Sequence, residues 1–139
     1  MSNFASEVRS RASGRCEYCH IPEAAFRRPF HIEHVVAKQH GGRAQFDNLA
    51  LACWACNLKK GPNLAGIDPE TGEVTTLFNP RKHQWKDHFV VVRSNVTQVG
   101  IEIKGRTPIG RTTVCVLDMN SEMRRRIRHE LWQEGLAAF

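Results

Sequence analysis

Nowhere in the 139 residues does an apolar run approach the roughly 20 that cross a bilayer, which excludes an α-helical membrane span. The start of the chain, Met1-Ser2-Asn3-Phe4-Ala5-Ser6-Glu7, lacks the charged-then-apolar layout of a secretory signal, so the expected compartment is the cytoplasm. Aromatic residues are scarce at 8%, and the hydrophobic fraction of 41% supports only a modest core. Domains of this size often add a bound metal to such a core. Acidic residues are also in short supply: 14 against 20 basic ones, a formal charge of +6, with an isoelectric point near 9.4. That balance favours a polyanionic partner, most simply nucleic acid. There is no internal repeat and no low-complexity segment, and the length fits a single domain over residues 1–139. The five cysteines are an odd number in a chain without an export signal. They argue against a disulfide framework and for reduced thiolates holding a metal.

The local pattern mixes short strands with short helices. Ser2 to Ala12 reads as a helix stopped by Gly14. Phe30 to Val36 reads as a strand, Gln39-His40-Gly41-Gly42 as a loop, and Asp47 to Ala52 as a second strand. A helix is expected from Cys56 to about Lys60, ended by Gly61-Pro62. Residues 61–87 read as irregular, with a turn at Asp68-Pro69-Glu70-Thr71-Gly72. His88 to Lys104 reads as a hairpin turning at Ser94-Asn95, with Val99, Ile101 and Ile103 alternating against Gln98, Gly100, Glu102 and Lys104. Thr107-Pro108 offers an N-cap and a first-turn proline, and Asn120-Ser121 caps a last helix from about Glu122 to Glu134, ended by Gly135.

Two C-x-x-C pairs, Cys16/Cys19 and Cys53/Cys56, supply four soft thiolates, and each tight turn lets both sulfurs face one ion at about 2.3 Å. Four protein ligands leave no open position, so this zinc is expected to be structural. It clamps the two ends of the stretch from His20 to Ala52. That stretch is longer than the gap of about 15–20 residues in an ordinary zinc ribbon, and it holds most of the polar residues suited to chemistry. Cys115 stands alone in an apolar stretch and reads as a small buried residue.

Inside the bracketed stretch, His31-Ile32-Glu33-His34 sets a carboxylate beside an imidazole. On a strand the two neighbours point to opposite faces, which suits two different jobs. A carboxylate such as Glu33 binds a hard divalent cation, and an imidazole such as His34 can take a proton from water near neutral pH. With these residues goes a longer run: Cys16-x-x-Cys19, Phe30-His31-Ile32-Glu33-His34-Val35-Val36, His40-Gly41-Gly42, Asp47-Asn48-Leu49-Ala50-Leu51-Ala52-Cys53-x-x-Cys56-Asn57 and Lys59-Lys60-Gly61. Taken together it resembles the zinc-containing HNH endonucleases over residues 14–61, with 62–139 as an elaboration. The tail is similar to a prokaryotic subgroup through Leu77-Phe78-Asn79-Pro80-Arg81, Trp85, His88-Phe89, Thr107-Pro108-Ile109-Gly110-Arg111 and Met119-Asn120.

The resemblance implies an α+β fold: a ββα-metal (His-Me finger) core stapled by the four-Cys zinc, with an N-terminal helix and a C-terminal hairpin plus helices. It implies a DNA endonuclease that uses Mg²⁺ or Mn²⁺. No segment reads as a dedicated base-reading helix, so weak sequence specificity, as nicking or nonspecific cutting, is expected. His34 falls on the general base, Glu33 on the acidic metal ligand, Asn48 on the residue that organises the loop and helps orient the base, and Asn57 on the second metal ligand. Glu33 stands where Asp is more frequent, and Asn57 where a terminal His is usual, giving an H-N-N pattern. Such an Asn occurs in active members, including the HNH domains of RNA-guided CRISPR effectors, and an amide oxygen suits Mg²⁺ or Mn²⁺. His31, on the face of Glu33, is a candidate auxiliary ligand or phosphate contact. Lys38, Arg43, Lys59 and Lys60 are candidate phosphate contacts that bind without reading sequence. The cationic run Arg124-Arg125-Arg126-Ile127-Arg128 spreads over several helix faces and reads as a solvated surface. His83, His88 and His129 are assigned structural or surface roles, and nothing indicates the oligomeric state. Two other readings compete: a zinc-stapled nucleic-acid-binding module without catalysis, and a purely structural zinc ribbon.

Overall fold

In the computed structural model, residues 4–93 and 100–136 are described. The chain is mixed α+β, with three separate two-stranded antiparallel sheets and five α-helices among the described residues. Helix α1 (Ala5–Arg11) starts three residues later than the sequence suggests, and Ser2 and Asn3 lie outside the described residues. It ends as expected. The Gly14 amide donates to Arg9 O at 2.9 Å with Gly14 at φ +68°, a left-handed position that glycine accepts without strain. Val8 buries the inner face of the helix, and Arg11 reaches the Phe46 and Leu49 carbonyls at 2.7 and 2.5 Å.

The first knuckle follows directly. Cys16 and His20 close it through backbone bonds to Ile21 O and from His20 N to Cys16 O, both 2.9 Å. Its Glu17 amide donates to Leu51 O at 2.8 Å, while the Leu51 amide donates to Glu17 Oε2 at 3.0 Å. The knuckle is thereby laced to the central hairpin. That hairpin pairs β1 (His31–His34) with β2 (Leu49–Ala52), placing Glu33 opposite Ala50 and His34 opposite Leu49. All four β2 residues are buried. The loop between the strands needs glycine at 42, because a Cβ there would lie 1.7 Å from Val36 O. Helix α2 (Trp54–Lys60) begins two residues earlier than expected. The Cys53 sulfur is its N-cap and accepts from the Cys56 amide. One residue thus ends the knuckle and starts the helix.

Residues 61–87 are more ordered than their composition suggests. β3 (Ala65–Ile67) pairs with β4 (Val74–Thr76) around the expected turn, and α3 (Trp85–His88) follows. The turn is anchored from a distance: Arg111 grips the fully buried Asp68 carboxylate through Nε at 3.1 Å and Nη2 at 2.9 Å. β5 (Phe89–Arg93) and β6 (Ile101–Gly105) form the expected hairpin, with Ile101 and Ile103 wholly buried. Its proposed turn at Ser94-Asn95, together with Gln98 and Val99, lies outside the described residues. Helix α4 (Pro108–Val116) is capped by Thr107 Oγ1, which accepts from the Gly110 amide at 3.0 Å. Helix α5 (Glu122–Gln133) is capped by Ser121. Both starts agree with the sequence reading. Cys115 does not: it is exposed, because α4 buries Gly110, Thr112 and Thr113 instead.

Candidate metal centre and active site

The two knuckles bring Cys16, Cys19, Cys53 and Cys56 together, with all four sulfurs within 4.8 Å of one another and all four residues buried. An ion about 2.3 Å from each of four tetrahedral sulfurs holds them about 3.8 Å apart, and Cys19 and Cys53 sulfurs lie 3.7 Å apart. The site fits a structural zinc. Four thiolates around a dication leave a net negative charge that burial makes expensive. A cation meets it: Arg124 Nη2 donates to Cys56 Sγ at 2.9 Å and stands 3.8 Å from Cys53 Sγ, while Nη1 donates to Leu117 O at 2.7 Å. Burial opposes the charge on Arg124, but Cys56, Cys19 and Cys53 outweigh it and hold its pKa above the ordinary value. In return, hydrogen bonds from Cys16, Cys53 and Cys56, with the charge of Arg124, keep the Cys19 thiol well below its usual pKa.

This placement corrects the solvated-face reading of the arginine run. Arg128 is also buried, donating to Ile101 O at 2.8 Å and to Met119 O at 2.7 Å. Arg126 alone fits that reading well, pairing with Glu122 on the exposed side. The physical reason is that α5 lies against both β6 and the thiol cluster, so the faces carrying Arg124 and Arg128 point inward.

Around the central hairpin, Asn48 staples the loop to the end of β1. Its Oδ1 accepts from the Val36 amide at 2.9 Å, and its Nδ2 donates to Val36 O and Arg43 O, both at 3.0 Å. His34, two residues before Val36, is half-buried. Its Nε2 is fully buried and has no hydrogen-bond partner among the described residues. Asn57 is half-buried on α2, and its side-chain amide makes no hydrogen bond among the described residues.

Glu33 is only 7% exposed and has two partners. The Tyr18 hydroxyl donates to its Oε2, and the Lys60 ammonium lies 3.5 Å from its Oε1. Burial pushes the Glu33 carboxyl up, and Lys60 and the Tyr18 bond act against that rise. Lys60 is therefore not on the surface with Lys38, Arg43 and Lys59. It is 2% exposed and donates to Val35 O at 2.9 Å, as the resident counter-ion of Glu33. His31 is exposed at the start of β1 and, among the described residues, makes no triad of metal-binding His, Cys, Asp or Glu side chains with Glu33. Tyr18 carries no role in the sequence reading, and Arg124 enters it only as part of the cationic run. The only available signals were the single tyrosine of the chain falling inside a knuckle, and Lys60 lying one helical turn after Asn57.

The tail residues also acquire positions. The Trp85 indole donates to Tyr18 O at 2.8 Å and stacks on His20 with centroids 3.9 Å apart. Arg81 pairs with Glu17 and donates to Leu49 O at 3.1 Å. The Leu77-to-Trp85 segment thus braces the first knuckle.

No curated protein and no solved structure matches the chain. The family model described as HNH endonuclease matches residues 16–63, from the first thiol through both strands and α2 to just beyond Lys60. That family's members have nuclease-type activity and act on nucleic acids. The stretch holding the thiol cluster, the β1–β2 hairpin and α2 is accordingly similar to the HNH endonuclease family.

Proposed function

We propose that the chain is a DNA endonuclease that hydrolyses phosphodiester bonds, with His34 as the general base. The observation that carries this reading is the buried, partnerless Nε2 of His34, the residue that follows Glu33 in sequence. A buried polar nitrogen without a partner costs on the order of 1–3 kcal/mol, and such atoms are retained where they serve a reaction. Nε2 accepts a proton from the attacking water. The Asn48 staple fixes the backbone two residues past His34, which limits how far the strand end carrying the base can move.

Glu33 and Asn57 would hold one Mg²⁺ or Mn²⁺ ion, and the donor chemistry fits. Glu33 offers a carboxylate oxygen that the ion would share with the Lys60 ammonium, 3.5 Å from Oε1, and the Asn57 amide makes no hydrogen bond among the described residues. Such an ion supplies Lewis acidity at the phosphate when bound. The exposed Lys38, Arg43 and Lys59 meet backbone phosphates without reading bases. His31, exposed on the same strand, is the remaining candidate for a phosphate contact or an auxiliary ligand.

The test is plasmid nicking by zinc-loaded protein in Mg²⁺ and in Mn²⁺. Wild type converts supercoiled to open-circular DNA. His34→Ala keeps its zinc and its melting temperature within a few degrees and loses at least ~100-fold in rate. Equal rates in the two proteins would remove His34 from the chemistry. Folded wild type that binds DNA but never nicks would instead make the chain a zinc-stapled nucleic-acid-binding module.

A further inference from the structure

Tyr18 joins the two metal-related sites. It lies between the thiol ligands Cys16 and Cys19, so a zinc ion that fixes those residues fixes its Cα as well. Its carbonyl is held by the Trp85 indole, its ring packs edge-to-face with Phe78 with centroids 6.4 Å apart, and the side chain is wholly buried. The hydroxyl donates to Glu33 Oε2, across a separation of 15 residues in sequence. From the other side, Lys60 is pinned to Val35 O and faces Oε1. The two oxygens of Glu33 are therefore distinguished. Oε2 accepts from a neutral donor on the zinc knuckle, and Oε1 faces the Lys60 ammonium at 3.5 Å.

We propose that Tyr18 is the positioning residue for Glu33, through which the structural zinc knuckle presents Oε1 to the divalent ion that the nuclease uses. The inference rests on the reading of Glu33 as a ligand for that ion. A carboxylate without the phenol regains rotamer freedom and can turn either oxygen toward Lys60, so it binds a divalent ion less well. The knuckle then has two tasks, stapling the fold and aiming a ligand. Glu33 needs such help because it stands on a short strand and is one methylene longer than Asp, with an additional torsion to fix.

Tyr18→Phe removes only the hydroxyl. In zinc-loaded full-length protein, Mn²⁺ binding is read by electron paramagnetic resonance without DNA, and nicking is read separately as a function of Mn²⁺. The variant is expected to keep one zinc per chain and to bind Mn²⁺ on the order of tenfold more weakly. The Mn²⁺ concentration for half-maximal nicking rises to match, while the rate at saturating Mn²⁺ returns to within about threefold of wild type. Mn²⁺ affinity within twofold of wild type would overturn the assignment and leave His34 and the nuclease reading standing. A wild-type chain that neither binds Mn²⁺ nor nicks would overturn both.

Should Tyr18→Phe fail to hold zinc, a second measurement decides. The chain has a single tyrosine, so biosynthetic incorporation of 3-fluorotyrosine labels position 18 alone. Its ¹⁹F resonance is expected to move on Mg²⁺ addition in wild type and to stay fixed in Glu33→Gln. A resonance indifferent to Mg²⁺ in wild type would refute the link.

Discussion

The His83 Nδ1 accepts a hydrogen bond from the Asn79 amide at 2.9 Å, so that nitrogen carries no proton in the folded chain. Burial lowers the His83 pKa, and the nearby charges of His88 and Lys82 lower it further. A histidine whose folded pKa is depressed binds fewer protons folded than unfolded. Its contribution to stability is complete above the unfolded value of about 6.5 and is lost as pH falls below it. Thermal melts between pH 7.5 and 5.5 are expected to show the melting temperature falling with pH in wild type and falling less steeply in His83→Leu. Parallel slopes in the two proteins would mean that His83 is not held neutral. Residues of this kind were only partly legible. A lone histidine announces a structural role but not its partner. Lys60 shows why: among Lys38, Arg43 and Lys59 it looks like one more phosphate contact, and only the closeness of β1 to α2 turns it inward to Glu33.

At the scale of elements, α5 is more than a terminal helix, since it supplies the cation that the thiol cluster needs. Arg124→Met keeps most of the aliphatic stem but removes both the charge and the donors to Cys56 Sγ and Leu117 O. Zinc affinity, measured by competition with a chromophoric chelator, is expected to fall about tenfold or more. Arg124→Lys restores the charge without the fork and should recover only part of the loss. Unchanged affinity in Arg124→Met would reduce the contact to surface packing. The starts of α4 and α5 were readable because capping is local: Thr107 and Ser121 carry their signal within a few residues. β3 and β4 were not, because three-residue strands have too little alternation to detect. Their turn is set by Arg111, which lies 43 residues beyond Asp68. The direction in which Arg124 and Arg128 point was equally invisible, since the polar run itself does not say which face meets a charged neighbour.

Across the whole molecule, the thiol cluster joins the segment 16–63 to the tail. Arg124 reaches it from α5, Trp85 holds Tyr18, and Arg81 pairs with Glu17 across 64 residues of sequence. The paired knuckles could be read from spacing alone, because a C-x-x-C turn is geometry written within four residues. The docking of the tail could not, because each of its contacts joins positions that local sequence treats as unrelated. A structural zinc contributes on the order of 10–16 kcal/mol in small zinc domains, against a total stability of about 5–15 kcal/mol for a typical domain. With the tail elements seated on the knuckles, metal loss should not spare them. Chelation, or Cys53→Ser, is expected to unfold both parts in one transition, followed by hydrogen exchange resolved by segment. Protection should vanish together from β2 and from β6, whose Ile101 and Ile103 carry much of the tail's buried surface. If β6 and α4 kept their protection after β2 had lost it, the tail would be an independent unit merely resting on the metal site, and Arg124 would be a contact between two folds.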